Sequence, residues 1–191
     1  SSDAWDEALI VVTSDHGEAF FEHGIWVGHG LFLEQSEVAV PLLVKPPASW
    51  RVAPRETDTL AVLTDLAPTL LHAAGLPRIA DAQGKSLVPT LQIDRAPRRE
   101  CDGAVFLDSS NTSTGALRTA RYKYIAPMGK SVDEVLDWHL LPDSELRSTL
   151  TQRIRAGAQL YDLFADPGEH VDIAASRPEM AARFAKCLAD H

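Results

Sequence analysis

The run Ala8-Leu9-Ile10-Val11-Val12-Thr13-Ser14-Asp15-His16-Gly17 decides how the rest of the chain is read. Its apolar and β-branched residues do not alternate with polar ones, which is the pattern of a strand buried on both faces within a parallel sheet. Ligands of such sheets bind just beyond the carboxyl ends of the strands. Asp15 and His16 stand at that end, and Gly17 lets the backbone turn sharply behind them. A carboxylate beside an imidazole makes a good donor pair for a divalent cation. The expectation is an α/β fold with a metal centre at the end of its first strand.

Outward from this run, the loop Glu18 to Gly30 carries Phe20, Phe21 and Trp26 and reads as packed down. Glu37 to Val44 reads as a second buried strand, with Pro41 marking a bulge or a strand start. Thr64 to Gly75 reads as a helix, capped by Thr64 and stopped by Gly75. From about Asp94 the texture changes. Arg95 to Glu100 is a polar connector, followed by strand-like pieces at Ala104 to Leu107, Ala116 to Ile125 and Gln159 to Leu163. Arg118, Arg121 and Lys123 recur there among apolar partners, as on a strand with one solvated face. Ser176-Arg177-Pro178-Glu179 is a capping box, and Met180, Phe184, Cys187 and Leu188 follow it at helical spacing. The fold class expected is α/β. Residues 1–97 form part of a mixed, mostly parallel sheet flanked by helices, and residues 98–191 a small antiparallel sheet with a packed terminal helix.

The formal net charge of −9, with no cluster of Lys and Arg to offset it, argues against a nucleic-acid partner. No apolar run approaches the roughly 18 residues of a membrane span. Two cysteines, Cys101 and Cys187, make no C-x-x-C pair and no disulfide framework, and Cys187 reads as a packing residue. Ser1-Ser2-Asp3-Ala4 leads almost at once into the first strand, without a starting Met or a preceding βα unit. We therefore expect a C-terminal portion of a longer protein, whose N-terminal half completes the sheet. Localisation stays open.

Several segments, in order, carry a resemblance. Ser14-Asp15-His16-Gly17-Glu18, Glu22-His23-Gly24 and His29-Gly30 are followed by the strand with Pro41, then Leu63-Thr64-Asp65-Leu66-Ala67-Pro68-Thr69-Leu70 and Gly84-Lys85-Ser86-Leu87. Leu160-Tyr161-Asp162-Leu163 and Asp166-Pro167-Gly168-Glu169 complete the series. Together they resemble the second-half metal region of sulfatases, members of the alkaline phosphatase superfamily. The resemblance implies that Asp15 and His16 bind the active-site cation, Ca2+ or alternatively Mn2+ or Zn2+. It implies that His29 contacts the transferred group or the leaving oxygen of a small-molecule or glycan sulfate ester. A cation and an imidazolium supply the positive charge that such an ester needs on its nonbridging and departing oxygens.

The chain departs from the family in one respect. It contains no Cys-or-Ser-x-Pro-x-Arg nucleophile motif, and neither Cys101 nor Cys187 stands in one. A formylglycine nucleophile and further metal carboxylates are expected only in the N-terminal half, so the isolated chain is expected to be inactive. A phosphonate or phosphodiester hydrolase, or a phosphoethanolamine-type transferase, shares the same motifs. A non-catalytic binding or structural remnant is the reading from a different class. His23 reads as a loop residue, Lys85 as part of a structural loop, and His72, His139, His170 and His191 as surface or packing residues.

Overall fold

The computed structural model describes residues 2–24, 28–30, 32–99, 101–109, 113–129, 148, 151–152 and 155–191. Trp26 and His139 lie outside the described residues. The chain divides into two compact units, Ser1–Asp15 with Pro41–Val105, and His16–Val40 with Phe106–His191. No helix among the described residues is long and apolar enough to cross a membrane.

In the first unit, helix α1 (Ser2–Glu7) leads into β1 (Ile10–Thr13), which pairs antiparallel with β2 (Leu42–Lys45). Pro41 directly precedes β2, as a residue without an N–H should. β1 is half-open rather than enclosed on both faces: Val12 and its cross-strand partner Leu43 are 56% and 60% exposed. Lys45 ties the pair to α1. Its ammonium donates to the carbonyls of Trp5, Asp6 and Ala8 at 2.5, 3.1 and 3.1 Å, and so satisfies groups that a helix end leaves unpaired.

Farther along, buried Asp65 organises the segment that was read as one capped helix. Its carboxylate accepts from Val62 N at 3.0 Å, Lys85 N at 2.7 Å and Arg99 Nη2 at 2.5 Å. The start of α3 (Leu66–Ala73) is therefore held by Asp65, not by Thr64. Lys85 contributes its backbone to this loop, as expected of a structural residue. Gly84 has to be glycine because a Cβ there would stand 2.0 Å from Thr64 O. Gly75, at φ 66°, ends α3 as the sequence predicts. His72 Nδ1 lies 2.8 Å from Ser86 Oγ, which also accepts from Val88 N at the start of α4 (Val88–Ile93).

The second unit carries the antiparallel sheet, in the order β3-β4-β5-β6: β3 (Val105–Ser109), β4 (Thr114–Arg118), β5 (Tyr122–Pro127) and β6 (Gln159–Asp162). Helix α5 (Pro178–Ala189) packs on one face through Phe184 and Leu188, with the Tyr122 and Phe184 rings 6.5 Å apart. Gly115 leaves room for this packing, since a Cβ would meet Met128 Sδ at 2.7 Å. The α/β class and the C-terminal antiparallel sheet with its terminal helix match the sequence reading. The capping box does not form: Ser176 Oγ donates to Ile173 O, and α5 begins at Pro178, which has no N–H to satisfy. Neither cysteine is free, so Cys187 is more than a packing thiol. His191 stacks on Phe106 with ring centroids 3.8 Å apart.

The other face of the sheet is not solvated. Leu33 packs there against Ala116, Ile125 and Tyr161, because the segment around α2 (Gln35–Val38) covers it. Its last two residues, Glu37 and Val38, were expected to open the second strand, which instead begins at Leu42. Lys123 is consequently 0% exposed, and its Nζ lies 2.8 Å from Glu169 Oε1 and 3.3 Å from Gln35 Oε1. Burial pushes the Lys123 ammonium below its ordinary range, and the Glu169 carboxylate opposes that shift. Arg118, half-buried on the same face, is likewise pushed down by burial. Only Arg121 is the exposed cation that the sequence suggested. It forms a forked pair with Asp162, with contacts of 2.9, 3.0 and 2.6 Å, and this pair holds the Asp162 carboxyl below its usual range.

Two predictions follow from these pairs. Lys123→Met leaves a buried carboxylate without its cation and should cost about 3–5 kcal/mol in urea denaturation, most of it recovered by the double replacement Lys123→Met/Glu169→Leu. Asp162 has a lowered folded pKa, so its contribution is present above the unfolded value of about 3.9 and is lost as pH falls through the folded value. Asp162→Asn should lower the urea midpoint at neutral pH, and the difference from the parent chain should close on acidification.

Candidate active-site loops

Asp15 stands two residues beyond the end of β1 and is exposed, with Ser14 Oγ 3.4 Å from its Oδ1. The next residue, His16, opens the segment 16–40 that belongs to the second unit. Gly17 N donates to Glu37 O at 2.7 Å. This approach is so close that a Cβ on Gly17 would lie 2.2 Å from Ser36 O. The glycine is needed here for the close backbone contact and not, as the sequence suggests, for a left-handed turn.

Beyond it the chain leaves and returns. Ala19 and Gly28 form an antiparallel bridge, with N–H to O distances of 2.9 and 3.3 Å in the two directions. Glu18 and His29 flank that bridge on opposite segments and so become cross-strand neighbours. Glu18 Oε2 lies 3.0 Å from His29 Nδ1. The His29 ring stacks on His16, with centroids 3.9 Å apart and planes 22° from parallel. His16 Nδ1 lies 2.7 Å from Gly17 O, and a carbonyl only accepts, so Nδ1 carries the proton and Nε2 the lone pair.

One donor atom from each of His16, Glu18 and His29 falls within 4.8 Å of the others. Two imidazoles and a carboxylate are a donor set that fits a divalent cation of the Mn2+ or Zn2+ type, and His16 shows the backbone hydrogen bond that commonly orients a metal-binding imidazole. The structure thus brings together His16 and His29 of the sequence-predicted residues. It adds Glu18, which the sequence shows only as the last letter of S-D-H-G-E, with no signal of its partner eleven residues on.

Support comes from below. Glu37, buried, receives Gly17 N on its carbonyl and Phe32 N on its carboxylate at 3.3 Å, and so braces the loops on both sides of the cluster. The 19–28 excursion is more open than expected. Phe20 and Phe21 are 64% and 68% exposed, because the bridge buries Ala19 instead. Phe20 N donates to the Glu22 carboxylate, and backbone hydrogen bonds hold that carboxyl below its usual range. His23 lies tilted 5.5 Å from His170, which suits the loop and surface roles expected of both.

Comparison with known proteins gives a consistent result. Residues 1–76 match the Sulfatase family model. Arylsulfatase K of Gallus gallus is 29% identical over 195 residues, covering 98% of this chain and 31% of that protein. Arylsulfatase K of Rattus norvegicus is 30% identical over 182 residues, covering 91% and 28%. The chain therefore spans about a third of the length of these curated relatives. Among solved structures, the phosphonate monoester hydrolase of Agrobacterium radiobacter superposes with a TM-score of 0.71 at 25% identity, covering 99% of this chain and 36% of that one. The structure of BT4656 in complex with its substrate D-glucosamine-2-N,6-O-disulfate superposes with a TM-score of 0.66 at 22% identity, covering 97% and 34%.

The Gly17 contact gives a direct test of how the loops are held. Gly17→Ala should destabilise the chain by about 1–3 kcal/mol, the usual cost of forcing atoms into a closed contact, read as a shift in urea midpoint.

Proposed function

Because the chain belongs to the sulfatase family of the alkaline phosphatase superfamily, we propose that it is the C-terminal portion of a metal-dependent hydrolase of sulfate esters. In this reading Asp15 and His16 hold the divalent cation, and His29 contacts the transferred group or the leaving oxygen. The observation that carries it is the stacking of His29 on His16, with ring centroids 3.9 Å apart, which sets a second imidazole beside the one that follows Asp15 in the sequence. The resemblance implies Ca2+, whereas the His16 imidazole suits Mn2+ or Zn2+ better than an ion that prefers all-oxygen ligands.

When bound, the cation supplies positive charge to the ester's nonbridging oxygens and so eases attack at sulfur. The chain's own residues do the rest of what this segment contributes. His16 offers Nε2, its tautomer fixed through Gly17 O. Asp15 adds a carboxylate oxygen at the end of β1. His29, with Nδ1 turned to Glu18, has Nε2 as the nitrogen that can meet the substrate. The sequence holds no Cys-or-Ser-x-Pro-x-Arg segment, so the nucleophile is assigned to the remainder of the enzyme, and the isolated chain is assigned no turnover. The substrate class we assign is a sulfated small molecule or glycan.

A second reading, hydrolysis of a phosphonate or phosphodiester, is favoured by the likeness to the Agrobacterium radiobacter phosphonate monoester hydrolase. Paired aryl sulfate and aryl phosphonate esters, offered to the intact enzyme, separate the two. Sulfate turnover should dominate and fall by at least about 100-fold in Asp15→Ala, as expected for loss of a metal-holding group. A preference for the phosphonate would move the enzyme to the second reading with the same residues. Full activity in Asp15→Ala would remove the site assignment.

A further inference from the structure

We propose that Glu18 is the positioning residue of His29: its carboxylate fixes the imidazole so that Nε2 faces the departing oxygen of the ester. The proposal rests on the role given to His29 above. Its basis is geometric. A carboxylate accepts and does not donate when ionised, so the 3.0 Å contact makes His29 Nδ1 the donor and leaves Nε2 as the nitrogen for the substrate. Two further constraints stop the ring from turning away. One flat face lies on His16 at 3.9 Å, and the Ala19–Gly28 bridge fixes the two backbones from which Glu18 and His29 project. The ring is therefore held at one edge and on one face before any substrate arrives, which is the preorganisation that proton donation to a leaving group requires.

An oxygen nucleophile from the remainder of the enzyme forms a bond to sulfur, while the sulfur–oxygen bond to the leaving group breaks. The electron pair of that bond stays on the departing oxygen, which takes the Nε2 proton of the His29 imidazolium. The Glu18 carboxylate keeps the ring oriented and compensates its charge until the proton has left. Glu18 is thus not in contact with the ester. It acts through His29.

The competing role for Glu18 is that of a cation ligand, since its oxygen also falls within 4.8 Å of the donor atoms of His16 and His29. Leaving-group dependence and cation affinity separate the two. In the intact enzyme, Glu18→Ala should lower kcat by about 10–100-fold on phenyl and 4-methylphenyl sulfate, whose phenolates leave poorly, and by much less on 4-nitrophenyl sulfate. KM should stay within about 2-fold. Glu18→Gln, which still accepts from Nδ1 through its amide oxygen, should recover part of the loss. Calorimetric titration of the metal-free variants with Mn2+ should match the parent enzyme. An equal loss on all esters together with weakened Mn2+ binding would make Glu18 a ligand and overturn the proposal. His29→Ala run alongside isolates the premise. If it shows the leaving-group dependence and Glu18→Ala does not, the positioning role alone is wrong. Unchanged activity in His29→Ala removes both that role and the reading of His29.

Discussion

The second unit hangs on the buried contact between Lys123 and Glu169. Both side chains are almost wholly enclosed, at 0% and 1% exposure, and the 2.8 Å contact joins the middle of the sheet to the turn after β6. Glu169 Oε2 also accepts from Gln35 N at 2.6 Å, and Lys123 reaches the Gln35 side chain. The pair therefore pins the start of α2 onto the sheet. Two residues on, Glu37 receives Gly17 N and Phe32 N. A path of direct contacts runs from a buried ion pair in the sheet to the loops that carry His16 and His29.

An ion pair is an odd choice for that role if stability alone were at stake. Taking two charges out of water costs several kcal/mol each, and an apolar pair of similar volume often does as well. What the charges add is direction. Leu33 packing on Ala116, Ile125 and Tyr161 would tolerate small slides of the segment along the sheet, because apolar contact has no preferred angle. A carboxylate that must meet both an ammonium and one particular backbone N–H does not tolerate them. The apolar cluster supplies attraction, and the Lys123–Glu169–Gln35 contacts supply register.

Legibility in the sequence divides along the same line. Gly75, Pro41 and the α5 stripe were readable because their effects are local. Lys123 was misread as solvated because alternation on one strand does not reveal what covers its far face. The cover is a segment some ninety residues earlier, of which only Glu37 and Val38 were given any secondary structure, as the start of a strand. Ser176 and Glu179 matched a capping pattern, yet the helix starts at Pro178 with Arg177 as its N-cap, which puts the two residues out of register for the box. Glu18 went unassigned for a related reason: its partner His29 is set by the Ala19–Gly28 bridge, a pairing that no residue spacing announces.

This separation between holding and acting matters for how the site works. His29 and Glu18 are about half and a third exposed, so their mutual attraction is softened by water and could not by itself hold two side chains in one geometry. The geometry is imposed instead by backbone contacts beneath them: the bridge at Ala19 and Gly28, and the Gly17 contact with Glu37, which leaves no room for a side chain. Those contacts are in turn indexed to the sheet through Gln35 and Glu169. In the role proposed for it, the exposed His29 imidazole is open to an incoming ester, while backbone contacts beneath it fix its position. Accessibility and preorganisation, which conflict when one residue must provide both, are here assigned to different residues of the same 16–40 segment.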